Sequence, residues 1–379
     1  MSADPARRRA LAAFRDRFDR DPTVLVRSPG RVNLIGEHTD YNGGFVLPLA
    51  IEHALWLAAA PADDGSITMV SDDADGQVVV HPAAIGDRLH GWGAYVQGVV
   101  WAMAEADVGV MGIQGAVASD VPVGAGLSSS AALEMAVCRA LTDVRPWDPV
   151  AAARLGQRAE NAWVGVDSGI LDQLSSSAAR AGHALLIDCR STDIVHVPLP
   201  DGMVVVIMDT TTRRELTGSA YNTRRGECDA AAAALGVDAL RDAHLDAVER
   251  LGEPVLRRRA RHVVTEHART AEAAEALRAG DRVALGRLLA EAHASMRDDF
   301  EASGPALDAI VASATSAPGC IGARMTGGGF AGCGVALVVS DRAGDFIATV
   351  TDGFEAATGM TPRLHVTTAA AGTELMRLG

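Results

Sequence analysis

Three short runs of this sequence concentrate groups suited to handling phosphate and sugar hydroxyls. Val121-Pro122-Val123-Gly124-Ala125-Gly126-Leu127-Ser128-Ser129-Ser130 reads as a strand running into a tight turn, and Ala131 to Glu134 as the start of a helix. Such a turn gathers unpaired backbone N–H groups at the positive end of a helix dipole, which suits an anion. Glycine lets the backbone approach the anion closely, and serine hydroxyls can cap the helix or ligate magnesium. A serine-capped turn without a ligand has the same outline. Three consecutive serines after Gly-Ala-Gly-Leu favour phosphate.

The second run, Ser28 to Gly44, clusters Glu37, His38 and Asp40 a few residues from Arg31. Carboxylates accept hydroxyl donors in pairs, as sugar binding requires. A metal site built from the same three side chains is the rival reading. Three near-adjacent ligands in one turn rarely close a coordination sphere alone. The third run, Ala159-Glu160-Asn161 followed by Gly165 to Gln173, supplies Glu160, Asp167 and Asp172. One of these carboxylates can hold magnesium while another accepts a hydroxyl proton, a division of labour that phosphoryl transfer uses. Taken singly, each aspartate there reads rather as a turn or cap residue.

The elements that carry these runs follow from periodicity and punctuation. Short apolar or β-branched runs at 23–28, 45–50, 66–71, 77–81 and 112–119 read as strands, and 131–142 and 150–163 as helices. Buried strands follow at 184–188 and 203–209. Residues 228–315 are rich in Ala, Leu, Arg, Glu and His at helical spacing, and strands return at 333–339 and 363–367. Leu11, Phe14 and Phe18 share one face of an amphipathic first helix. The break at His196-Val197-Pro198-Leu199-Pro200 divides the chain into residues 1–197 and 198–379, and 379 residues are enough for two domains.

Composition closes several classes. The net charge of −14 argues against nucleic-acid or anionic-membrane partners, and the basic run Arg257, Arg258, Arg259 and Arg261 reads as a solvated helix face. All 34 basic residues are arginine. Chemistry that needs a lysine is therefore excluded: the Walker-type phosphate loop, the protein kinases and pyridoxal catalysis. The five cysteines lack metal-site or disulfide-framework spacing. No signal-peptide pattern and no membrane-length apolar stretch is present, so a cytoplasmic location is expected. No sustained heptad pattern appears, and a monomer is expected.

Together these segments resemble the galactokinases, members of the GHMP family of small-molecule kinases. The run Gly30 to Pro48, GRVNLIGEHTDYNGGFVLP, is similar to the galactokinase signature over its whole length. VPVGAGLSSSAALE resembles the family's phosphate loop, and Met325 to Cys333, MTGGGFAGC, its third glycine motif. GVDSGILDQL, HALLIDCRS, GSAYNTRRGEC and RDDFEASGPALD add further matches, so the resemblance spans about residues 24–340. It departs from the family pattern at Ser28 and at Asp167-Ser168.

The resemblance implies an α+β, two-domain GHMP kinase fold: an N-terminal mixed β-sheet with helices, a C-terminal ferredoxin-like half, and a site in the cleft between. It implies ATP and Mg2+ as cofactor and metal, and galactose as the acceptor at its 1-hydroxyl. Asp172 corresponds to the catalytic aspartate and Arg31 to the arginine beside the transferred phosphoryl group. Glu37, His38, Thr39, Asp40, Gly169 and Tyr221 correspond to sugar-binding positions. Gly124, Ala125, Gly126, Leu127, Ser128, Ser129 and Ser130 match the ATP loop, Ser71 matches a nucleotide contact, and Ser130 and Glu160 match magnesium ligands. The choice of Asp172 over Asp167 rests on the Gly-Ile-x-Asp-Gln match. A kinase for another sugar or alcohol, and a non-catalytic sensor of galactose and ATP, are the competing readings.

Overall fold

A computed structural model describes residues 4–142, 146–213 and 217–378, without the side chains of 217–219. Its largest sheet has six strands in the order Glu374–Arg377, Val24–Asn33, Pro48–Pro61, Ile113–Ser119, Ile67–Ser71, Gln77–Val80. All neighbours are antiparallel except Ile67–Ser71 on Ile113–Ser119. Both faces are buried, and strand alternation assigns the side chains. Val24, Val26, Leu55 and Leu57 pack beneath helices Trp92–Glu105 and Ser129–Leu141. Leu25, Trp56, Ala58 and Ala60 meet Ala6, Ala10 and Phe14 of helix Pro5–Phe18.

The second sheet runs Cys320–Met325, Cys333–Val339, Met203–Asp209, Arg363–Thr367 and is antiparallel throughout. In chain order its strands lie 2-3-1-4 with helix crossovers, which is the expected ferredoxin-like arrangement. Helices Pro305–Ser316 and Ala343–Thr358 cover one face through Ile310, Phe346 and Phe354. Val205, Ile207, Val335 and Leu337 on the other face share a core with Val32, Ile35, Leu49 and Ile51 of the first half. That common core joins the two halves behind the cleft. A third sheet of three short strands, Phe45–Val46, His183–Asp188 and Ile194–Pro198, flanks it.

Several elements differ from the sequence reading. The expected strand 45–50 is two strands, Phe45–Val46 and the 14-residue Pro48–Pro61, because Pro48 and the turn at Leu47 pass the chain from one sheet to another. The expected helix 150–163 is α-helical over Pro149–Arg158 and then widens to a π-helical turn at Ala159–Val164. The proline-marked break near 196–200 carries strand Ile194–Pro198. The last strand, Glu374–Arg377, pairs with Val24 to Arg27, so the C-terminal part of the chain returns to the first sheet. A single cut near 197 does not separate the two sheets. Among the described residues no helix is long and apolar enough to cross a membrane.

Helix Arg282–Asp298 lies so tightly on strand Cys320–Met325 that a Cβ on Gly286 would sit 2.3 Å from the Ile321 carbonyl oxygen. Alanine normally stabilises a helix relative to glycine. Here the sign reverses: Gly286→Ala is expected to lower stability by about 2 kcal/mol, read from the denaturant midpoint, because backbone must move to admit the methyl group.

Candidate active site

Strand Val24–Asn33 enters the cleft beside the turn at 124–128, and the two backbones touch. The Arg31 N–H donates to the Leu127 carbonyl at 3.1 Å, and a Cβ on Gly30 would lie 2.7 Å from that same oxygen. From the opposite side the 326–332 turn closes in, where a Cβ on Gly332 would stand 2.9 Å from the Ala125 carbonyl. Glycine at 30 is a matter of volume, and at 332 of volume and of a backbone φ of +96° as well. Ser128 begins helix Ser129–Leu141 with φ +59°, and no side chain caps the helix. The Ser128 hydroxyl instead donates to Asp172 Oδ2 at 2.5 Å. The first-turn amides thus have no side-chain acceptor.

Asp172 sits in the first turn of helix Leu171–Ala178. Its Oδ1 accepts from Arg31 Nε at 2.7 Å and lies 2.5 Å from Arg31 Nη2, while Arg31 Nη1 donates to the Gly126 carbonyl at 2.6 Å. Arg31 thereby ties the carboxylate to the turn. Asp167, the other aspartate in the run, is exposed and lies outside the cleft lining.

Glu160 projects from the π-helical turn. Its Oε1 accepts from Ser130 Oγ at 3.3 Å, and its Oε2 accepts from Ser168 Oγ at 2.5 Å and Gln173 Nε2 at 3.0 Å. Gln173 Nε2 also donates to Glu134 Oε2 at 2.9 Å, and Glu134 Oε1 is buried without a partner. Burial, together with the nearby Asp172 charge, pushes the Glu160 carboxyl above its usual range. Glu134 and Glu160 share the Gln173 amide, and the Asp172 charge acts on both, so this side of the cleft offers carboxylate oxygens of the kind a hard divalent cation takes. Among the described residues no three His, Cys, Asp or Glu side chains form a metal cage. A magnesium ion there would draw its remaining ligands from phosphate and water.

Across the cleft, His38 takes a left-handed backbone at φ +60°, and its Nδ1 lies 2.8 Å from the Tyr41 hydroxyl. Its ring packs 4.4 Å from Phe300 and 5.4 Å from Tyr221. Asp40 presses against Gly169, where a Cβ would fall 1.9 Å from Asp40 Oδ2. Burial and the Asp172 charge raise the Asp40 carboxyl to about 6.

Glu37 lines the cleft but is 3% exposed and fully engaged. It pairs with Arg324, and its Oε1 accepts from the Gly327 N–H at 2.9 Å and Thr326 Oγ1 at 3.2 Å. Its backbone carbonyl accepts from His262 Nε2 at 3.1 Å. Burial holds His262 down at about 4, so the ring is neutral near pH 7. Arg324 is wholly buried and also lies 3.6 Å from Glu266.

The cleft encloses about 400 Å³, within the range of small-molecule sites. It brings together Arg31, Glu37, His38, Asp40, Gly124, Gly126 to Ser130, Glu160, Gly169, Asp172 and Tyr221. Three expected residues lie outside its lining. Thr39 is fully buried and donates its hydroxyl to the Gly36 and Phe45 carbonyls at 2.8 and 2.7 Å, which fixes the turn. Ala125 is buried behind the loop, and Ser71 ends a strand with its hydroxyl accepting from the Asp73 N–H at 3.1 Å. The cleft also contains Asn33, Tyr95, Ser168, Gly327 and Gly328. Tyr95 comes from helix Trp92–Glu105, which lay unmarked between the strand readings.

Replacing Arg324 removes the cation paired with the buried Glu37 carboxylate, while Glu266 keeps Arg269 at 2.8 Å. Arg324→Met is expected to cost about 3–5 kcal/mol of folding stability by chemical denaturation, since an unpaired buried charge costs far more than a pair contributes.

Three family descriptions match this chain: the galactokinase galactose-binding signature over residues 12–61, the GHMP kinase N-terminal domain over 94–180 and the GHMP kinase C-terminal domain over 273–355. A galactokinase of Roseiflexus sp. (strain RS-1) is 45% identical over 370 residues, 95% of this chain and 94% of that protein. A galactokinase of Chloroflexus aggregans is 44% identical over 374 residues, 95% of each chain. The crystal structure of Lactococcus lactis galactokinase complexed with galactose is 32% identical, with a TM-score of 0.90 over 96% of this chain and 98% of that one. Identity at this level across nearly the full length, on the same fold and with all three motifs meeting in one cleft, means that the chain belongs to the galactokinase family of GHMP kinases.

Proposed function

We propose that the chain transfers the terminal phosphoryl group of ATP directly to the anomeric 1-hydroxyl of galactose. The observation that carries this reading is Asp172, a carboxylate gripped by Arg31 and Ser128 at the edge of an amide-rich turn, facing the Asp40 and His38 side of the same cleft. The turn at 124–128 and the uncapped first turn of helix Ser129–Leu141 bind the triphosphate through backbone N–H groups. Asp172 accepts the hydroxyl proton through one carboxylate oxygen. Arg31 offsets the charge on that carboxylate and on the moving group. His38, Asp40, Gly169 and Tyr221 orient the sugar, and Glu37 shapes that wall from its pairing with Arg324. Ser130 and Glu160 would hold magnesium, which would supply charge neutralisation on the triphosphate. A cytoplasmic location fits an enzyme that draws on ATP, and a monomer is expected, which size-exclusion chromatography of the purified chain would check.

A coupled assay with galactose and Mg·ATP tests the reading. Asp172→Asn is expected to lower kcat by about 10²–10⁴-fold while ATP binding, followed by calorimetry, changes little. Near-normal turnover in that variant, or ATP hydrolysis indifferent to galactose in the wild type, would contradict it.

The raised Asp40 carboxyl gives a pH signature. Above its value of about 6 the side chain is ionised and accepts two hydroxyl donors; below it, protonation removes that capacity. KM for galactose is therefore expected to climb about tenfold per pH unit below pH 6, with kcat falling less. Asp40→Asn should raise KM at neutral pH and flatten that limb. A KM constant from pH 7 to pH 5 would remove Asp40 from the sugar subsite.

A further inference from the structure

Asn33 ends strand Val24–Asn33 two residues after Arg31, so strand alternation sends both side chains to the same side. Its backbone is pinned to the second half of the molecule. The Asn33 carbonyl accepts from Thr326 Oγ1 at 2.8 Å, and its N–H donates to the same oxygen at 3.2 Å. The side chain lines the cleft and is 1% exposed, yet neither Oδ1 nor Nδ2 has a hydrogen-bond partner. A buried amide left empty at both ends is costly and needs an explanation. The strand fixes it at the wall it shares with Arg31, Glu37 and Gly327.

The chemistry of the amide selects its partner. It carries one acceptor and two donors. A phosphate oxygen or a metal ion would satisfy only one end. A sugar hydroxyl both donates and accepts, so one hydroxyl, or two adjacent ones, completes the group. We infer that Asn33 is a substrate-contacting residue that binds a hydroxyl of the sugar through its side-chain amide.

This inference rests on the sugar-kinase reading and has a readout apart from turnover. Asn33→Leu keeps the shape and removes the unpaired polar atoms. It is expected to melt at the wild-type temperature or above, while calorimetric titration with galactose alone shows affinity reduced about 10–100-fold. Titration with 2-, 3-, 4- and 6-deoxygalactose then names the hydroxyl. One deoxy sugar should bind wild type more weakly than galactose does, yet bind Asn33→Leu no more weakly than galactose does. If leucine is not accommodated, Asn33→Ala enters the same sugar panel. Wild-type galactose affinity in either variant overturns the inference, as does an equal loss for every deoxy sugar in wild type and variant. A wild-type protein that binds no galactose overturns both this inference and the sugar reading beneath it.

Discussion

The active cleft depends on three backbone segments approaching within van der Waals limits around residues 124–128. Gly30 on one side and Gly332 on the other leave no room for a Cβ against the Leu127 and Ala125 carbonyls. The Arg31 N–H bonds to the turn, and the Arg31 side chain bonds to both the turn and Asp172. This contact sets where the amides of the turn, the Asp172 carboxylate and strand Val24–Asn33 stand relative to one another. A shift of an ångström here would separate groups that must meet at one reacting atom.

Electrostatics reinforce the packing. The chain carries a net charge of −14, and under the proposed reading it would meet a triphosphate with backbone dipoles, Arg31 and a divalent cation rather than with a surface of lysines. Below the cleft, Arg324 pairs with Glu37 and neighbours Glu266, and so fixes the sugar-signature turn against the third glycine motif. Burial gives these few charges weight that surface pairs such as Arg15–Asp21 lack.

Much of this was legible in the sequence because the signals were local. The serine-rich turn, the acidic cluster after Arg31 and the Gly-Ile-Leu-Asp-Gln run are contiguous, so residue type and spacing raised them as candidates and the family resemblance chose Asp172 over Asp167; residues of all three line one cleft. What the sequence hid was non-local. Arg324 looks like an ordinary strand residue until the fold sets it beside Glu37, 287 positions away. Thr39 belongs to the signature run, but its hydroxyl is spent inside the turn, which spacing cannot reveal. Strand Ile194–Pro198 sits where prolines suggested a linker, because an edge strand tolerates them. Helix Trp92–Glu105 is apolar nearly all round, being packed between the first sheet and its neighbours, and so shows little amphipathic contrast.

The return of Glu374–Arg377 to pair with Val24–Arg27 bears on how the molecule is made. During synthesis the first strands of that sheet emerge early, but one flank stays open until residues 374–377 have been made. Closing that ladder links residues about 350 apart, a slow, entropically costly step. Until then an unpaired strand rim is available to other chains. Loss of residues 374–377 would leave that vulnerability in the finished enzyme.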